Sequence, residues 1–223
     1  MHKLVVIGNA ISADIIYSYL RKDERYQVVC FSTDGEFIQE KEKFGLPVVD
    51  LNDLGENFSP SEHQVVFGIG YKQNNQVRAE LFQRVNNMGY SVFTYIHPRA
   101  HILNDAHIGE GSIILSGVVV EPFAAVGKNS VIWSNCVIGH HVKVGDNCWV
   151  AAGTVIAGEA EVGHNSFLGV NVTVSNQVRV GAFNIIGGHT AVHKDTKENE
   201  VYISGQGEKL RFSAKDYDQY FLK

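Results

Sequence analysis

The chain has 223 residues, of which 44% are hydrophobic and 19% charged, with a formal charge of −5; this composition excludes disorder, supports a buried core and leaves room for two domains. The acidic balance and the lack of any Lys/Arg cluster argue against nucleic acid as a partner, because phosphate binding depends on such clusters. No apolar run approaches the ~20 residues of a membrane span, and MHKLVVIGNA enters a strand pattern without the features of a secretory signal, so no membrane span and a cytoplasmic location are expected.

Residues 1–96 follow an α/β rhythm. Residues 3–7 read as an apolar strand, 12–21 as a helix with Ile15, Ile16 and Leu20 on one side, and 27–31 as a second strand. Residues 46–50 form a short segment, 64–69 a strong strand, 75–88 an amphipathic helix carrying Val77, Leu81, Phe82 and Val85, and 91–95 the next strand. Strands alternating with helices predict a Rossmann-like parallel sheet, whose ligands bind at the carboxyl ends of the strands.

Three loops at those ends carry candidate substrate-binding residues. The first, Gly8-Asn9-Ala10-Ile11-Ser12-Ala13, keeps only the first glycine of a dinucleotide fingerprint, so an NAD-like pyrophosphate grip is not expected, yet the free helix amides near Ala10, Ile11 and Ser12 suit a phosphate or sugar. The second offers Thr33 and Asp34 to a ribose or base edge, although Asp34 also suits a plain turn. The third, residues 68–75, holds Gly70, Tyr71, Lys72 and Asn74, and Asn74 reads equally well as a helix N-cap.

From Ile102 to Val192 an aliphatic residue stands at every sixth position, and a second period of eighteen places Gly109, Gly127, Gly145, Gly163 and Gly181 after aliphatics, with Asn129, Asn147 and Asn165 two residues after three of these glycines. Six residues turn about 600° around an α-helix, which would scatter the aliphatics over every face. A three-sided parallel β-helix satisfies the period, with small residues such as Ser112, Ser130, Cys148 and Ser166 sharing the interior and Gly and Asn at corners that need positive φ. The expected layout is a Rossmann-like domain over 1–96, a β-helix over 97–196 and a tail over 197–223.

Within the β-helix, His140 and His141 fall at a corner and point outward, as ordinary surface histidines also do. His101, His107, His140, His141, His164, His189 and His193 share no single corner, so no metal is expected. Cys30, Cys136 and Cys148 lie in apolar surroundings without metal-like spacing and read as buried, reduced thiols.

An α/β domain followed by an unbroken hexapeptide β-helix resembles the PglD/NeuD family of bacterial sugar acyltransferases. The resemblance implies a left-handed β-helix, acetyl-CoA as cosubstrate, a nucleotide-linked amino sugar of the 4-amino-4,6-dideoxy type as acceptor, a role in surface-glycan biosynthesis, and a homotrimer with sites between subunits. In that family a corner histidine precedes an F-L-G-[IV]-N segment by some thirty residues. That segment is Phe167-Leu168-Gly169-Val170-Asn171 here, which places the base at His140, while a competing alignment puts Ser134 at the catalytic corner. The family's next residue is often acidic and here is His141, so His140, His141 and Asn135 are the candidate catalytic residues, with Asn135, Ser134 or a group from another subunit as partner for the imidazole. Trp149, Gly158, Val170 and Gly188 are the implied acetyl-CoA contacts. The family's closing Gly-x-Pro-Ala-Lys segment is replaced by Gly205-Gln206-Gly207-Glu208-Lys209. Other readings are an O-acetyltransferase for a sialic-type sugar, and a non-catalytic or metal-binding β-helix protein.

Overall fold

The computed structural model describes residues 2–207 together with Lys209, Arg211 and Ser213. Strands β1 (His2–Ile7), β2 (Tyr26–Thr33), β3 (Glu42–Lys43), β4 (Leu46–Asp50) and β5 (Gln64–Phe67) form one sheet in the order β3-β4-β2-β1-β5. All its pairs are parallel except the short edge pair β3–β4. Leu4, Val5, Val6 and Ile7 are all buried, as a central strand covered on both faces requires. Helices α1 (Ile11–Leu20), α2 (Leu54–Asn57) and α3 (Gln76–Asn87) complete this domain. Since β2 and β5 flank β1 on opposite sides, strand order reverses there and a crevice opens at the carboxyl ends of β1, β2 and β5.

The strand expected over 91–95 does not join this sheet. Only Val92 bridges to Val65, after which Tyr95–Ile96 pairs with Ile113–Ile114 as the first strand of the next architecture. Tyr95 is buried between the two parts with its ring near those of Tyr19 and Tyr26.

From Tyr95 the chain winds through three parallel sheets of seven, six and five short strands, the expected left-handed β-helix. Partners lie eighteen residues apart, as in Val119↔Val137↔Val155. The hexad aliphatics from Ile114 to Ile186 are buried, whereas Ile102 and Ile108 in the first coil are only partly covered. Each such burial contributes roughly 1.5–3 kcal/mol. Interior hydroxyls also tie coil to coil: Ser112, Ser130 and Ser166 donate to the carbonyls of Gly127, Gly145 and Gly181 at 2.7, 2.9 and 3.0 Å.

The corner residues divide the two roles expected of them. Asn129, Asn147 and Asn165 take the left-handed turn at φ 52°, 57° and 58°. The glycines of the period instead keep ordinary φ and permit close stacking, because a Cβ on Gly109 would lie 2.6 Å from Gly127 C. The expected tail also begins later, since Val201–Tyr202 returns to pair with Ile185–Ile186, and most of the chain beyond Gly207 lies outside the described residues.

The three faces meet different surroundings. The seven-stranded face turns Tyr95, Ile113, Val131, Trp149 and Phe167 toward the N-terminal domain. The five-stranded face is charged, with Glu161 reaching Lys143 at 3.1 Å and Arg179 at 3.7 Å. The six-stranded face carries the outward row Val119, Val137, Val155, Thr173 and Ala191, in which Val155 is 38% exposed.

Candidate active site

At the crevice, Gly8 turns the chain at φ +109°, and a Cβ on Gly68 would lie 2.5 Å from Ala13 Cα, so both glycines let β1, β5 and α1 converge. Ala10 is extended and precedes α1, whose first amides face outward; Ile11 is 78% exposed. Lys43 pins this loop by donating to the Asn9 carbonyl at 2.8 Å and pairing with Asp14 at 2.7 Å. A cavity of about 290 Å³ lies beside it, lined by Ile7, Thr33, Asp34, Phe37, Ile69, Val77 and Arg84 among others. Arg84 holds Asp34 Oδ1 at 2.6 Å and also donates to Asn52 at 2.7 Å, which fixes the carboxylate at the cavity wall. Thr33, Asp34 and the Ala10–Ser12 turn therefore share one end of the sheet.

The third loop serves a different purpose. Gln73, Asn74 and Asn75 all adopt positive φ, and Asn74 donates its side-chain amide to Phe183 O at 2.6 Å instead of capping α3. The N-cap is Asn75, whose buried side chain reaches the Asn165 and Ser166 carbonyls. Tyr71 rests on Trp149 and Phe167. Asn74 and Tyr71 thus join the two domains, while Gly70 faces Ser12 Oγ, 3.5 Å from where a Cβ would stand.

Arg78 is the centre of that junction. Fully buried on α3, it donates to the Asn129 and Cys148 carbonyls, each at 3.1 Å, and to Asn75 Oδ1 at 3.0 Å, with its guanidinium over the Trp149 ring. Burial pushes its pKa down to about 10, which leaves it cationic near neutrality. Trp149, expected as an acetyl-CoA contact on the outer surface, is buried between Tyr71, Trp133 and Arg78 at the domain junction.

His140 and His141 stand at the corner between the six- and five-stranded faces. Glu121, one coil earlier, accepts a bond from the His140 backbone N–H at 2.8 Å. The His140 ring lies on Gly158, where a Cβ would come within 2.5 Å of both Cε1 and Nε2; the glycine is required by space, not by backbone conformation. The two imidazoles meet at 3.2 Å through their Nδ1 atoms, and His141 packs on Phe123. Asn135 and Ser134 occupy the other edge of the six-stranded face, and Asn135 is a corner residue at φ 61°. Within one chain neither is bonded to His140; Glu121 was missed because its relation to His140 emerges only when the sequence is written in rows of eighteen.

Val170, 48% exposed, and Gly188 stack at that same other edge, where a Cβ on Gly188 would sit 3.2 Å from the Val170 carbonyl. The implied acetyl-CoA contacts hence divide between two edges of one chain, with Gly158 at one and Val170 and Gly188 at the other. A further cavity of about 730 Å³ lies between α1 and the first coils, bordered by Ile11, Ile15, Lys22, His97, Arg99 and Ser116, the last in the corner column that continues to Val170 and Gly188. No three His, Cys, Asp or Glu side chains converge as a metal site among the described residues. No described helix is long and apolar enough to cross a membrane.

A three-sided hexapeptide β-helix behind a small Rossmann-like domain defines the class. Residues 3–85 match the PglD N-terminal domain and residues 123–158 the bacterial transferase hexapeptide (six repeats). Both matches agree with the resemblance to PglD/NeuD-like proteins read from the sequence. PerB from Caulobacter crescentus, solved with CoA and GDP-perosamine, superposes with a TM-score of 0.81 at 24% identity over 92% of this chain and 95% of that one. The acetyltransferase domain of PglB from Neisseria gonorrhoeae, in complex with acetyl coenzyme A, gives 0.82 at 19% identity over 94% and 99%. WeeI from Acinetobacter baumannii gives 0.57 at 19% identity over 92% and 97%. No curated protein matches the chain. At these identities the likenesses establish the fold.

Proposed function

We propose that the protein transfers an acetyl group from acetyl-CoA to the amine of a nucleotide-linked amino sugar, of the 4-amino-4,6-dideoxy type, in bacterial surface-glycan assembly. The observation that carries this reading is His140, an exposed imidazole lying on bare glycine backbone at one edge of the six-stranded β-helix face, whose outward row stands open among the described residues. PerB is solved with CoA and GDP-perosamine, and the PglB domain with acetyl coenzyme A, which agrees with it.

A homotrimer follows from the same face. Closing three copies about an axis parallel to the coil stack would bury the row Val119, Val137, Val155, Thr173 and Ala191. It would also bring the His140–Gly158 edge of one copy beside the Val170–Gly188 edge of its neighbour, so contacts separated within one chain would line one groove for the pantetheine arm. Since α1 borders the same corner column at Ser116, a nucleotide held by the Ala10–Ser12 turn, Thr33 and Asp34 would have its sugar directed toward the neighbouring copy. Three unpaired, buried thiols suit a reducing, cytoplasmic setting.

In the reaction the neutral amine attacks the thioester carbonyl, the N–C bond forms, and the C–S bond breaks from a tetrahedral oxyanion. His140 Nε2 takes the amine proton and returns a proton to the departing sulfur. The Gly158 N–H donates to no protein acceptor among the described residues and is suited to the oxyanion, a donor worth about 3 kcal/mol in such sites. Holding both substrates in line supplies much of the remaining acceleration.

The test is thiol release from acetyl-CoA with UDP-, dTDP- and GDP-linked 4-amino sugars, using wild-type protein and His140→Ala. Turnover by the variant should fall roughly 10²–10⁴-fold. Near-full activity of His140→Ala across a pH series would remove this residue from the mechanism.

A further inference from the structure

We propose that His141 is a positioning residue: its Nδ1 accepts the Nδ1–H of His140 and so holds the neighbouring ring in the tautomer whose Nε2 lone pair is free. This rests on reading His140 as the base. It assigns a neutral imidazole to the place where the resembled family often carries a carboxylate.

The geometry restricts both rings. His141 takes the corner at φ 60°, its backbone N–H donates to the Pro122 carbonyl at 3.2 Å, and its ring lies 4.9 Å from that of Phe123. His140 is held through the Glu121 carboxylate on its amide, the Glu159 N–H on its carbonyl at 2.9 Å, and Gly158 beneath the ring. The ring planes cross at 83° with centres 5.4 Å apart, consistent with the two Nδ1 atoms, 3.2 Å apart, facing each other.

Like nitrogens at this distance bond only when one carries hydrogen and the other a lone pair. With the hydrogen on His140 Nδ1, His140 Nε2 accepts a proton, and the resulting imidazolium keeps its bond to His141. With the hydrogen on His141 Nδ1, His140 carries its own on Nε2 and cannot act as base. Proposed catalysis therefore selects the first arrangement, and nitrogen-to-nitrogen bonding is what fixes it.

The charged groups around the pair are Glu121, on the His140 amide, and Glu159, bonded to Gln177; the Lys143 ammonium is paired with Glu161.

The corner column supplies variants compatible with its backbone. Phe123 occupies the same position one coil earlier at φ 63°, and Asn takes positive φ at several other corners. His141→Phe keeps a ring without a nitrogen acceptor, and His141→Asn places an amide oxygen on Cγ where the imidazole has Nδ1. Nitrogen-15 NMR of the full-length, substrate-free protein near neutral pH should show hydrogen on His140 Nδ1 in wild type and in His141→Asn, with a shift toward Nε2–H in His141→Phe.

In the acetyl-transfer assay, kcat should drop about 10–100-fold for His141→Phe with KM for acetyl-CoA little changed, and recover to within several-fold for His141→Asn. Hydrogen on His140 Nε2 in wild type, or Phe and Asn variants with the same tautomer and rate, overturns the inference. Correct tautomers in a protein that transfers no acetyl group would uphold the pairing and refute the proposed function instead.

Discussion

Arg78 offers a measurement in which two large effects oppose each other. Arg78→Met removes the donors to Asn129 O and Asn75 Oδ1, for which no other donor is present among the described residues, while Cys148 O keeps its bond from the Val131 N–H. Each buried acceptor left unpaired costs roughly 1–3 kcal/mol, so the two together cost about 2–6 kcal/mol. Releasing a guanidinium from a site that excludes water returns a few kcal/mol, and methionine refills much of the volume. A net loss of about 2 kcal/mol is expected. With an m-value of ~2 kcal/mol/M, the urea midpoint moves down by about 1 M. Trp133 and Trp149 are the only tryptophans in the chain, and their rings pack 5.5 Å apart beside Arg78, so indole emission reads this junction while far-UV circular dichroism follows the strands. Titrations should be made at one protein concentration, because association would shift the midpoint. An unchanged or raised midpoint would refute the reasoning and show that desolvating the cation outweighs what its bonds return.

Gly158→Ala places a methyl group within 2.5 Å of the His140 ring, and turnover should fall about 10–100-fold with little change in melting temperature, as the ring swings outward; unchanged kcat would show that the seat is irrelevant. Val155→Arg introduces a charge into the exposed apolar row and should convert the proposed trimer to monomers by light scattering, with activity lost although His140 is intact; a wild-type monomer or a fully active monomeric variant would contradict the shared groove. Burial pushes the thiols of Cys30 and Cys148 up to about 12 and that of Cys136 to about 11, so at pH 8 thiolate is scarce and Ellman's reagent should label none of them until the protein unfolds. Rapid labelling of folded protein would show that one of these sites opens.

The β-helix was legible because its cause is repetitive: one inward aliphatic per hexad leaves Ile114, Ile132, Val150 and Leu168 on successive coils of one stack. The glycines misled in detail, since coil-to-coil clearance and left-handed φ both favour glycine and only coordinates separate them. Arg78 was not legible at all. On an amphipathic helix an arginine between Val77 and Ala79 reads as solvated, and its burial depends on carbonyls 51 and 70 residues away. The same long-range docking gives Tyr71, Asn74 and Trp149 contacts between the two domains that the sequence did not announce. Local turn chemistry at Gly8, Thr33 and Asp34 needed no such information, and those residues do share one end of the sheet.

The eighteen-residue pairing step has a consequence for how such a chain can change length. Adding or deleting six residues would rotate everything beyond by one side of the triangle, carrying Val170 to a different edge, whereas a whole turn restores every side and only displaces it by about 4.7–4.9 Å along the axis. Spacing between the histidine pair and the far end of any elongated ligand is therefore quantised, like the rungs of a ladder. Variants that accept longer or shorter acyl carriers should be sought among whole-turn insertions, never among single-residue ones.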